Sequence, residues 1–445
     1  MSESFDLLIR HGRCVLPDGL VDSDIAIAGG RIRRVGALTG VHAAETIEAR
    51  GLHVLPGLID TQVHFREPGL EHKEDLESGT RGAVLGGLVG VFEMPNTKPG
   101  TTTKAAIEDK LARAKGRAWC DHAFYAGATG ENVESLAELE RLPGVAGVKV
   151  FVGSSTGDLL VADDATIERV MRHGSRRIAF HCEDEERMRE RRKIAEAAAH
   201  PRAHPEWRDV ESALRATKRV VALARKTGRR AHILHVTTAE EMEFLADHKD
   251  IASVEVLPQH LTLVAPDCYE TLGTFAQMNP PIREARHREA LWRALREGVV
   301  DVLGSDHAPH TREEKAKTYP ASPSGLTGVQ TIVPLMLDHV HAGRLTLQRL
   351  VDLLAAGPAR LFGLANKGRI AVGIDGDLTL VDLAAKRTIA HGQMASKSGW
   401  TPFDGMAVTG WPVATILRGN VVMRDGALFG PPLGRPIRFQ DCLPA

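Results

Sequence analysis

The chain has 445 residues, with 56 basic and 57 acidic side chains and a formal net charge of −1 at neutral pH. This length is sufficient for a large core together with a second, smaller domain. Because the charges almost cancel, no overall field attracts nucleic acid or an anionic membrane, and we expect neither class of partner.

The cysteines and the apolar runs bear on the cellular compartment. The five cysteines are scattered and include no C-x-x-C pair: Cys14, Cys120, Cys182, Cys268 and Cys442. The sequence therefore indicates neither a disulfide framework nor a zinc ribbon, and the reducing cytoplasm is the expected location. The first residues lack a basic stretch followed by an apolar one, and no run reaches about 18 uncharged apolar residues. We expect a soluble, unsecreted protein.

Both ends of the chain carry the pattern of a small β-sheet. Short apolar segments such as Leu7 to Ile9 are interrupted by glycines near the N-terminus. The last part of the chain repeats this pattern, for example at Leu378 to Val381. Such spacing favours strands joined by turns. We predict one small β-sandwich domain formed by residues 1–55 and 370–445.

Between these ends, residues 56–369 alternate apolar strand-like runs with helical ones. The strand-like runs include Val145 to Val152, Ile178 to His181, His232 to Val236, Ser253 to Leu257 and Val299 to Leu303. Alternation of this kind is typical of parallel strands connected by crossover helices. The predicted fold class is α/β, with a (β/α)8 TIM-type barrel as the main domain.

Several of these runs end at a residue with metal-binding or catalytic chemistry. These residues are Asp60 with His64, then Lys149, His181, His235 and Asp306. The strand ends of a parallel barrel form a ring at one face, where catalytic residues lie. A single histidine is more often a hydrogen-bonded core or surface residue. Imidazoles and a carboxylate that converge in a cleft, however, are the usual ligands of zinc or a related divalent ion.

Lys149 needs a separate argument, because an ammonium group cannot bind a cation. Burying it unpaired at a strand end is costly, so we expect its pKa to fall toward that of a neutral amine. A neutral amine can add carbon dioxide, and the resulting carbamate has two oxygens that can bridge two metals. The residues alone leave a second interpretation open, in which Lys149 pairs with a carboxylate.

Seven segments carry more specific information than any single residue. They are Pro56-Gly57-Leu58-Ile59-Asp60, His64-Phe65-Arg66-Glu67-Pro68-Gly69, Glu93-Met94-Pro95-Asn96-Thr97, His181-Cys182-Glu183-Asp184, Met278-Asn279-Pro280-Pro281-Ile282-Arg283, Ser305 to Thr311, and Thr401-Pro402-Phe403-Asp404-Gly405. With them, essentially the whole chain resembles the dihydroorotases of the cyclic-amidohydrolase superfamily. The resemblance implies a (β/α)8 barrel with a β-domain from both chain ends. It also implies reversible hydrolysis of (S)-dihydroorotate to N-carbamoyl-L-aspartate in de novo pyrimidine synthesis.

The resemblance further implies a centre with one or two Zn²⁺ or other divalent ions. His181 and His235 would hold the more exposed metal. His64 and Asp306 would hold the more buried one, and carboxylated Lys149 would bridge the two. Metal-activated hydroxide would be the nucleophile, and Asp306 would act as general base and then as general acid.

The substrate carboxylate has its own expected partners. Arg66 can bind it in a bidentate manner, and the resemblance adds Asn96 and His310 as further donors. Asn279 is similar to the family residue that contacts the pyrimidine ring, and the backbone around Gly325 would close over it. Taken alone, Arg66 could equally form a surface ion pair and Asn96 could be a turn residue.

The sequence departs from the family pattern at two positions. Family members usually have histidine where this chain has Gln62, in the motif Asp60-Thr61-Gln62-Val63-His64. An amide oxygen is a weaker zinc ligand than an imidazole, so Gln62 is the weakest of the candidate metal ligands. Gln259 replaces a histidine of a Pro-His-His pattern, at a position expected to lie behind the metal ligands. Gln62 would mark a subgroup of the family.

Three functions are compatible with these residues. The first is dihydroorotase activity. The second is another cyclic amidase, such as a dihydropyrimidinase, hydantoinase or allantoinase, although Arg66 and Asn96 argue against it because those rings offer no carboxylate. The third is a non-catalytic homologue that scaffolds aspartate transcarbamoylase, which the loss of histidine at Gln62 would favour.

Two expectations concern assembly and motion. Barrels of this kind often form homodimers, although no segment of the sequence identifies an interface. The segment Lys315 to Ser324 contains two prolines and follows His310. We predict that it acts as a mobile lid over the substrate.

Overall fold

The computed structural model of the protein describes residues 4–155 and 159–442, and its first strands form a small sheet. These strands are β1 (Phe5–Leu16), β2 (Gly19–Ala28), β3 (Arg31–Gly36), β4 (Ala43–Glu48) and β5 (His53–Pro56). Strand β1 pairs antiparallel with β2 and parallel with β4 and β5. Leu7, Ile9, Ile25 and Ile27 share one buried face, because alternate residues of a strand lie on the same side.

Within the described residues, eight parallel strands form a second sheet. They are β6 (Leu58–Val63), β7 (Leu88–Glu93), β8 (Asp121–Gly127), β9 (Val145–Phe151), β10 (Ile178–His181), β11 (Ala231–Ile233), β12 (Ala252–Val256) and β13 (Val302–Leu303). Their order follows the chain, and a parallel bridge between Val63 and His307 closes the sheet. Every residue of these strands is buried, as expected for a barrel covered by helices. This confirms the predicted (β/α)8 barrel.

The helices connect the barrel strands and cover them from outside. They are α1 (Leu76–Leu85), α2 (Lys104–Ala114), α3 (Leu136–Leu139), α4 (Asp164–Arg172), α5 (Glu185–Ala198), α6 (His204–Trp207), α7 (Val210–Thr227), α8 (Ala239–Ala246), α9 (Pro258–Thr262), α10 (Asp267–Leu272), α11 (Ala285–Arg296), α12 (Arg312–Lys315), α13 (Ile332–His341), α14 (Leu347–Val351) and α15 (Gly357–Phe362). In the described part of the chain, no helix is both long enough and apolar enough to cross a membrane.

Helix α7 illustrates how local sequence determines these elements. At its start, the side chain of Asp209 accepts a hydrogen bond from the backbone N–H of Ser212. At its end, Gly228 adopts a φ of 71°, which glycine reaches without steric cost. Between the two ends, Ala213, Ala216 and Val220 recur every three or four residues on the buried face. This spacing gives the helix one apolar stripe against the barrel.

After the barrel, the chain returns to the small sheet. It adds strands β14 (Leu378–Thr388), β15 (Ala407–Leu417), β16 (Asn420–Arg424) and β17 (Ala427–Leu428). Strand β14 pairs antiparallel with β5, with Leu378 opposite Pro56. The sheet order is therefore β17-β16-β15-β14-β5-β1-β2-β3, with β4 beside β1. This confirms that both chain ends build one β-domain.

The residues after β17 reach back to the barrel, while the bounds 370–445 of the β-domain stay a prediction. Ile437 and Phe439 are buried in the barrel core, and the backbone N–H of Ile437 donates to the carbonyl of His122 at 2.8 Å. His122 lies at the start of β8, so this segment covers the end of the barrel away from the candidate ligands. Its apolar side chains bury surface that the barrel would otherwise expose. Residues 1–3 and 443–445 of the predicted domain lie outside the described residues.

Candidate active site

The carboxyl ends of the barrel strands bring the candidate metal ligands together. Gln62 and His64 lie at the end of β6, Lys149 in β9, His181 at the end of β10, and His235 and Asp306 in the loops after β11 and β13. All of them line one pocket. Because parallel strands direct their carboxyl ends to the same face, residues far apart in sequence meet there.

Three residues of this pocket have an unusual backbone conformation. Arg66, His235 and Asp306 have φ angles of 66°, 37° and 43°, in the left-handed region that side chains rarely adopt. Each such residue costs about 1–3 kcal/mol and persists only where the surrounding structure holds it. Strained residues of this kind cluster at functional sites. Here each one is a residue predicted to bind metal or substrate.

His64 and Asp306 form one half of the pocket. His64 Nε2 lies 3.0 Å from Asp306 Oδ1, and His64 Nδ1 lies 2.7 Å from Asn96 Oδ1. Both ring nitrogens face acceptor oxygens, so in the tautomer with its proton on Nδ1 the lone pair of Nε2 would face the Asp306 side and be available to a metal. Burial lowers the pKa of His64, which favours this neutral imidazole.

Gln62 lines the pocket through a side chain whose amide contacts Asp306, and its role as a metal ligand stays a prediction. Its Nε2 donates to Asp306 Oδ1 at 3.0 Å, and its Oε1 is buried without a hydrogen-bond partner among the described residues. The Gln62 amide therefore orients the Asp306 carboxylate. At the same position the family pattern has a histidine, whose ring nitrogen offers a lone pair instead. Gln259, the second departure from the family pattern, contacts the residue next to Asp306. Its Nε2 donates to the carbonyl of Ser305 at 2.6 Å.

His181 and His235 form the other half of the pocket. His181 Nδ1 lies 3.1 Å from His235 Nε2, while His181 Nε2 donates to Glu183 Oε2 at 2.8 Å. Glu183 is in turn held by Arg208, whose Nε donates to Glu183 Oε1 at 3.0 Å. This ion pair keeps the pKa of Glu183 below its usual range despite complete burial. The carboxylate thus fixes the proton of His181 on Nε2 and leaves the Nδ1 lone pair facing His235.

Lys149 belongs to the same pocket as the two pairs and has no hydrogen-bond partner among the described residues. Its side chain is fully buried, and its Nζ lies 4.4 Å from the ring centroid of Phe151. Burial lowers the pKa of Lys149 to about 7, although Asp306 opposes the shift. The alternative ion pair with a carboxylate is absent from the described residues. The neutral amine is the form that reacts with carbon dioxide, and the lowered pKa of Lys149 increases the fraction of this form at neutral pH.

The pocket side chains suit divalent metals as ligands when a carboxylated Lys149 is counted with them. Among the described residues, His, Cys, Asp and Glu side chains form no group of three or more that could hold a metal ion by itself. Each half of the pocket instead offers two possible metal ligands. These are His181 with His235 in one half and His64 with Asp306 in the other. Facing donor atoms at 3.1 and 3.0 Å suit a cation that accepts both lone pairs. A carbamate on Lys149 would add one oxygen to each pair.

Arg66 lies at the substrate side of the pocket. It is 1% exposed, and its Nε donates to the carbonyl of Pro309 at 3.1 Å. Within the described residues, no carboxylate lies within ion-pair distance of its guanidinium. Burial accordingly lowers the pKa of Arg66 to about 10. A buried cation without a counter-ion is costly, so this site is suited to an anionic ligand.

The other predicted substrate residues surround the same space. Asn96, Asn279 and Gly325 line the pocket with Arg66. Gly325 has a φ of 148°, and a Cβ there would lie 2.3 Å from the carbonyl oxygen of Ala308. The position therefore requires glycine. His310 does not line the pocket directly, but its Nε2 lies 3.3 Å from Arg66 Nη2.

The rim of the pocket includes part of the segment predicted to be a lid. Lys315 is buried, and its Nζ donates to the carbonyls of Gln277 at 3.0 Å and Pro323 at 2.9 Å. The pocket encloses only about 20 Å³, roughly the space of one water molecule. A rim segment therefore has to shift before a ring can enter. Movement of Lys315 to Ser324 stays a prediction.

Sequence reasoning missed three residues that hold the site together. Glu183 and Arg208 orient His181, as described above. His204 is buried, and its Nε2 lies 2.9 Å from Asn279 Oδ1 and so directs that amide. Glu183 occurs in one of the segments that carry the family resemblance, which was an available signal. Nothing in the local sequence around Arg208 or His204 indicates these contacts.

The Glu183→Gln variant is expected to bind zinc about 10- to 100-fold more weakly. A neutral amide oxygen holds the His181 Nε2 proton less firmly and leaves the buried Arg208 without its counter-ion. Competition with a chelator measures the affinity, and a denaturation curve measures any loss of stability. Glu186→Gln, on the exposed face of α5, is the matched control. Unchanged zinc affinity in Glu183→Gln would show that Glu183 does not orient the ligand.

Comparisons with known proteins agree with this fold. The model of the amidohydrolase family matches residues 53–422. The chain is 39% identical over 427 residues to a dihydroorotase of Halobacterium salinarum, covering 95% of this chain and 98% of that protein. It is 34% identical over 447 residues to an allantoinase of Deinococcus radiodurans, covering 98% and 99%. A solved L-hydantoinase (dihydropyrimidinase) from Arthrobacter aurescens superposes with a TM-score of 0.92 and 31% identity, covering 97% and 99%.

Proposed function

The chain belongs to the amidohydrolase family, and on this premise we propose that it hydrolyses the ring amide of (S)-dihydroorotate reversibly to N-carbamoyl-L-aspartate. The relatives named above are all hydrolases of cyclic amides, and they differ in the ring that each acts on. The fold does not distinguish these rings, so the choice depends on the pocket residues. We place the reaction in cytoplasmic pyrimidine synthesis.

The observation that carries the proposal is the guanidinium of Arg66, which is buried without an ion-pair partner among the described residues. Dihydroorotate has a carboxylate on its ring, whereas hydantoin, dihydrouracil and allantoin have none. A bidentate ion pair between this carboxylate and Arg66 would neutralise the buried cation. Asn96 and His310 lie beside Arg66 and provide further donors. A neutral ring would leave Arg66 buried without a counter-ion.

The metal chemistry would come from the donors described above. His181 and His235 would hold one zinc or related divalent ion, and His64 and Asp306 a second, with carboxylated Lys149 between them. When bound, such ions lower the pKa of water and polarise the carbonyl under attack. The family is generally metal-dependent, in agreement with this donor set.

Asp306 would move the proton. Its Oδ1 is held by Gln62, and its Oδ2 has no hydrogen-bond partner among the described residues. Oδ2 can therefore take a proton from the attacking water and deliver it to the ring nitrogen as the C–N bond breaks. Water supplies the hydroxyl group of the new carboxyl, and the ring nitrogen gains the hydrogen, so the atoms balance. Asn279, oriented by His204, would hold the ring during this transfer.

A substrate panel tests the proposal. Purified protein of known zinc content is assayed with dihydroorotate, hydantoin, dihydrouracil and allantoin. We expect dihydroorotate to be hydrolysed with the highest kcat/KM. Preference for a neutral ring would identify another cyclic amidase. Absence of both turnover and bound metal, together with co-purification of aspartate transcarbamoylase, would favour the scaffold interpretation.

The Arg66→Met variant is expected to lose about 100-fold in kcat/KM for dihydroorotate, because one partner of a buried charge pair is removed. The loss should appear mainly in KM, as the carboxylate lies away from the ring amide. Steady-state kinetics provide the measurement, with Arg192→Met on the exposed face of α5 as the control. An unchanged KM for dihydroorotate would remove Arg66 from the substrate site.

A further inference from the structure

Lys73 is a cation behind the predicted carboxylate site that the mechanism above does not use. It lies in the loop between β6 and α1, and its side chain is 11% exposed. Its Nζ lies 3.1 Å from His310 Nδ1 and 3.0 Å from Glu314 Oε1. Lys73 therefore links a surface-side carboxylate to the histidine that stands next to Arg66.

Two groups face Nδ1 of His310: Lys73 Nζ lies within hydrogen-bonding distance at 3.1 Å, and Glu314 Oε2 lies beyond it at 3.7 Å. The closer contact, with Lys73, favours one tautomer. An ammonium group can only donate hydrogen bonds, so the His310 Nδ1 that it contacts must present a lone pair. The single proton of the neutral ring is then on Nε2, which lies 3.0 Å from the carbonyl of Ser324 and can donate to it. Burial lowers the pKa of His310 to about 3, consistent with a neutral ring.

This tautomer gives the substrate side two donors next to each other. His310 Nε2 lies 3.3 Å from Arg66 Nη2, and a guanidinium likewise only donates. Two donors at this distance do not bond to each other, but they can share one acceptor when the Nε2 proton turns from the Ser324 carbonyl to an incoming ligand. A carboxylate oxygen has the lone pairs to accept from both.

Glu314 holds Lys73 in place. The side chain of Glu314 accepts a hydrogen bond from the backbone N–H of Thr311 at 3.0 Å, as part of the capping box that starts α12. Its other oxygen forms the ion pair with Lys73. Because the carboxylate is fixed by the helix start, the ammonium is directed to His310. Arg66, by contrast, has no counter-ion among the described residues.

We propose that Lys73 is a positioning residue that selects cyclic amides carrying a ring carboxylate. It does so by holding His310 with its proton on Nε2, beside Arg66, and by adding positive charge behind this pair of donors. The inference rests on the proposed function and extends it to a residue that does not touch the substrate. It explains why a lysine is half-buried next to a histidine at this point of the pocket.

The Lys73→Met variant tests the inference, because methionine keeps much of the side-chain volume and removes the charge and the donors. We expect KM for dihydroorotate to rise about tenfold or more, the effect of losing roughly one charged hydrogen bond, with kcat within about twofold of the wild type. Lys73→Arg retains donors and charge and should recover part of the loss. Lys98→Met, which removes an exposed cation nearby, should leave KM unchanged.

A double variant separates positioning from a general structural role. If Lys73 acts through the carboxylate that Arg66 binds, the effects of Lys73→Met and Arg66→Met on KM will be less than additive. A purely structural effect would instead lower the melting temperature and would not be recovered by Lys73→Arg.

Three results would overturn the inference. These are an unchanged KM in Lys73→Met, a loss confined to kcat, or full additivity with Arg66→Met. Any of them, with dihydroorotate still hydrolysed by the wild type, rejects the role of Lys73 and leaves the proposed function standing. If the wild type does not hydrolyse dihydroorotate, the proposed function fails and the role of Lys73 fails with it.

Discussion

The Asp306→Asn variant is expected to lose about 1,000- to 10,000-fold in kcat while its fold remains intact, a loss at the upper end for removal of a general acid–base group. Asparagine has nearly the same shape as aspartate, and its carbonyl oxygen can still accept the hydrogen bond from Gln62 Nε2. It cannot take up the proton of the attacking water or return it to the ring nitrogen. The variant therefore keeps the shape of this side chain and removes its charge, which serves both the proton transfer and the proposed metal binding.

Two measurements on the same sample check this result. Single-turnover kinetics give the rate of ring opening, and the thermal unfolding midpoint shows whether the barrel is intact. Asp338→Asn is the control, since Asp338 accepts a hydrogen bond from the backbone of Thr409 at 2.9 Å away from the pocket. Near-normal turnover in Asp306→Asn would refute its assigned role.

The Lys149→Ala variant is expected to lose bound metal and activity together, with turnover reduced at least about 1,000-fold because the metal contribution of several kcal/mol is lost. Alanine leaves a space in the pocket where the lysine side chain was. A small carboxylate such as acetate or propionate can enter this space and offer two oxygens as the carbamate would. Partial recovery of activity with these acids is therefore expected.

The Lys149→Met variant is the matched control for this experiment. Methionine fills most of the lysine volume and cannot be carboxylated, so it should lose metal as alanine does but should not respond to added acids. Zinc content per chain and the rate of dihydroorotate hydrolysis are measured in parallel. Retention of metal and activity in Lys149→Ala would exclude the lysine as a bridge. Failure of every acid to restore activity would leave the carbamate unsupported.

Much of the fold could be predicted because its determinants are local. Apolar runs alternating with helical segments predict parallel strands and crossover helices, and the structure has them from β6 to β13. The glycine-punctuated segments at both ends likewise predicted a shared β-domain, which the pairing of β14 with β5 confirms. The position of the segment containing Ile437 and Phe439 was harder to predict, because its apolar residues have no periodicity that identifies the surface they cover.

The candidate site was predictable as a set of residue types and only partly as an arrangement. Positions such as His181 and Asp306 could be selected because they end strand-like runs and occur in specific segments. The contact of Gln62 with Asp306 and that of Lys73 with His310 connect parts of the chain that are far apart. No local sequence pattern predicts that such residues lie in contact.

The sequence by itself therefore determined the alternation of strands and helices, the residue types at the strand ends and the resemblance to a family. The tertiary structure decided which nitrogen of each histidine faces the pocket and that Glu183, His204 and Lys73 orient their neighbours. It also decided that Lys149 and Arg66 are buried with no counter-ion in the described part of the chain. The physical reason is that periodicity and turn chemistry act within a few residues. Hydrogen bonding, burial and charge pairing instead depend on distances that exist only after the barrel closes.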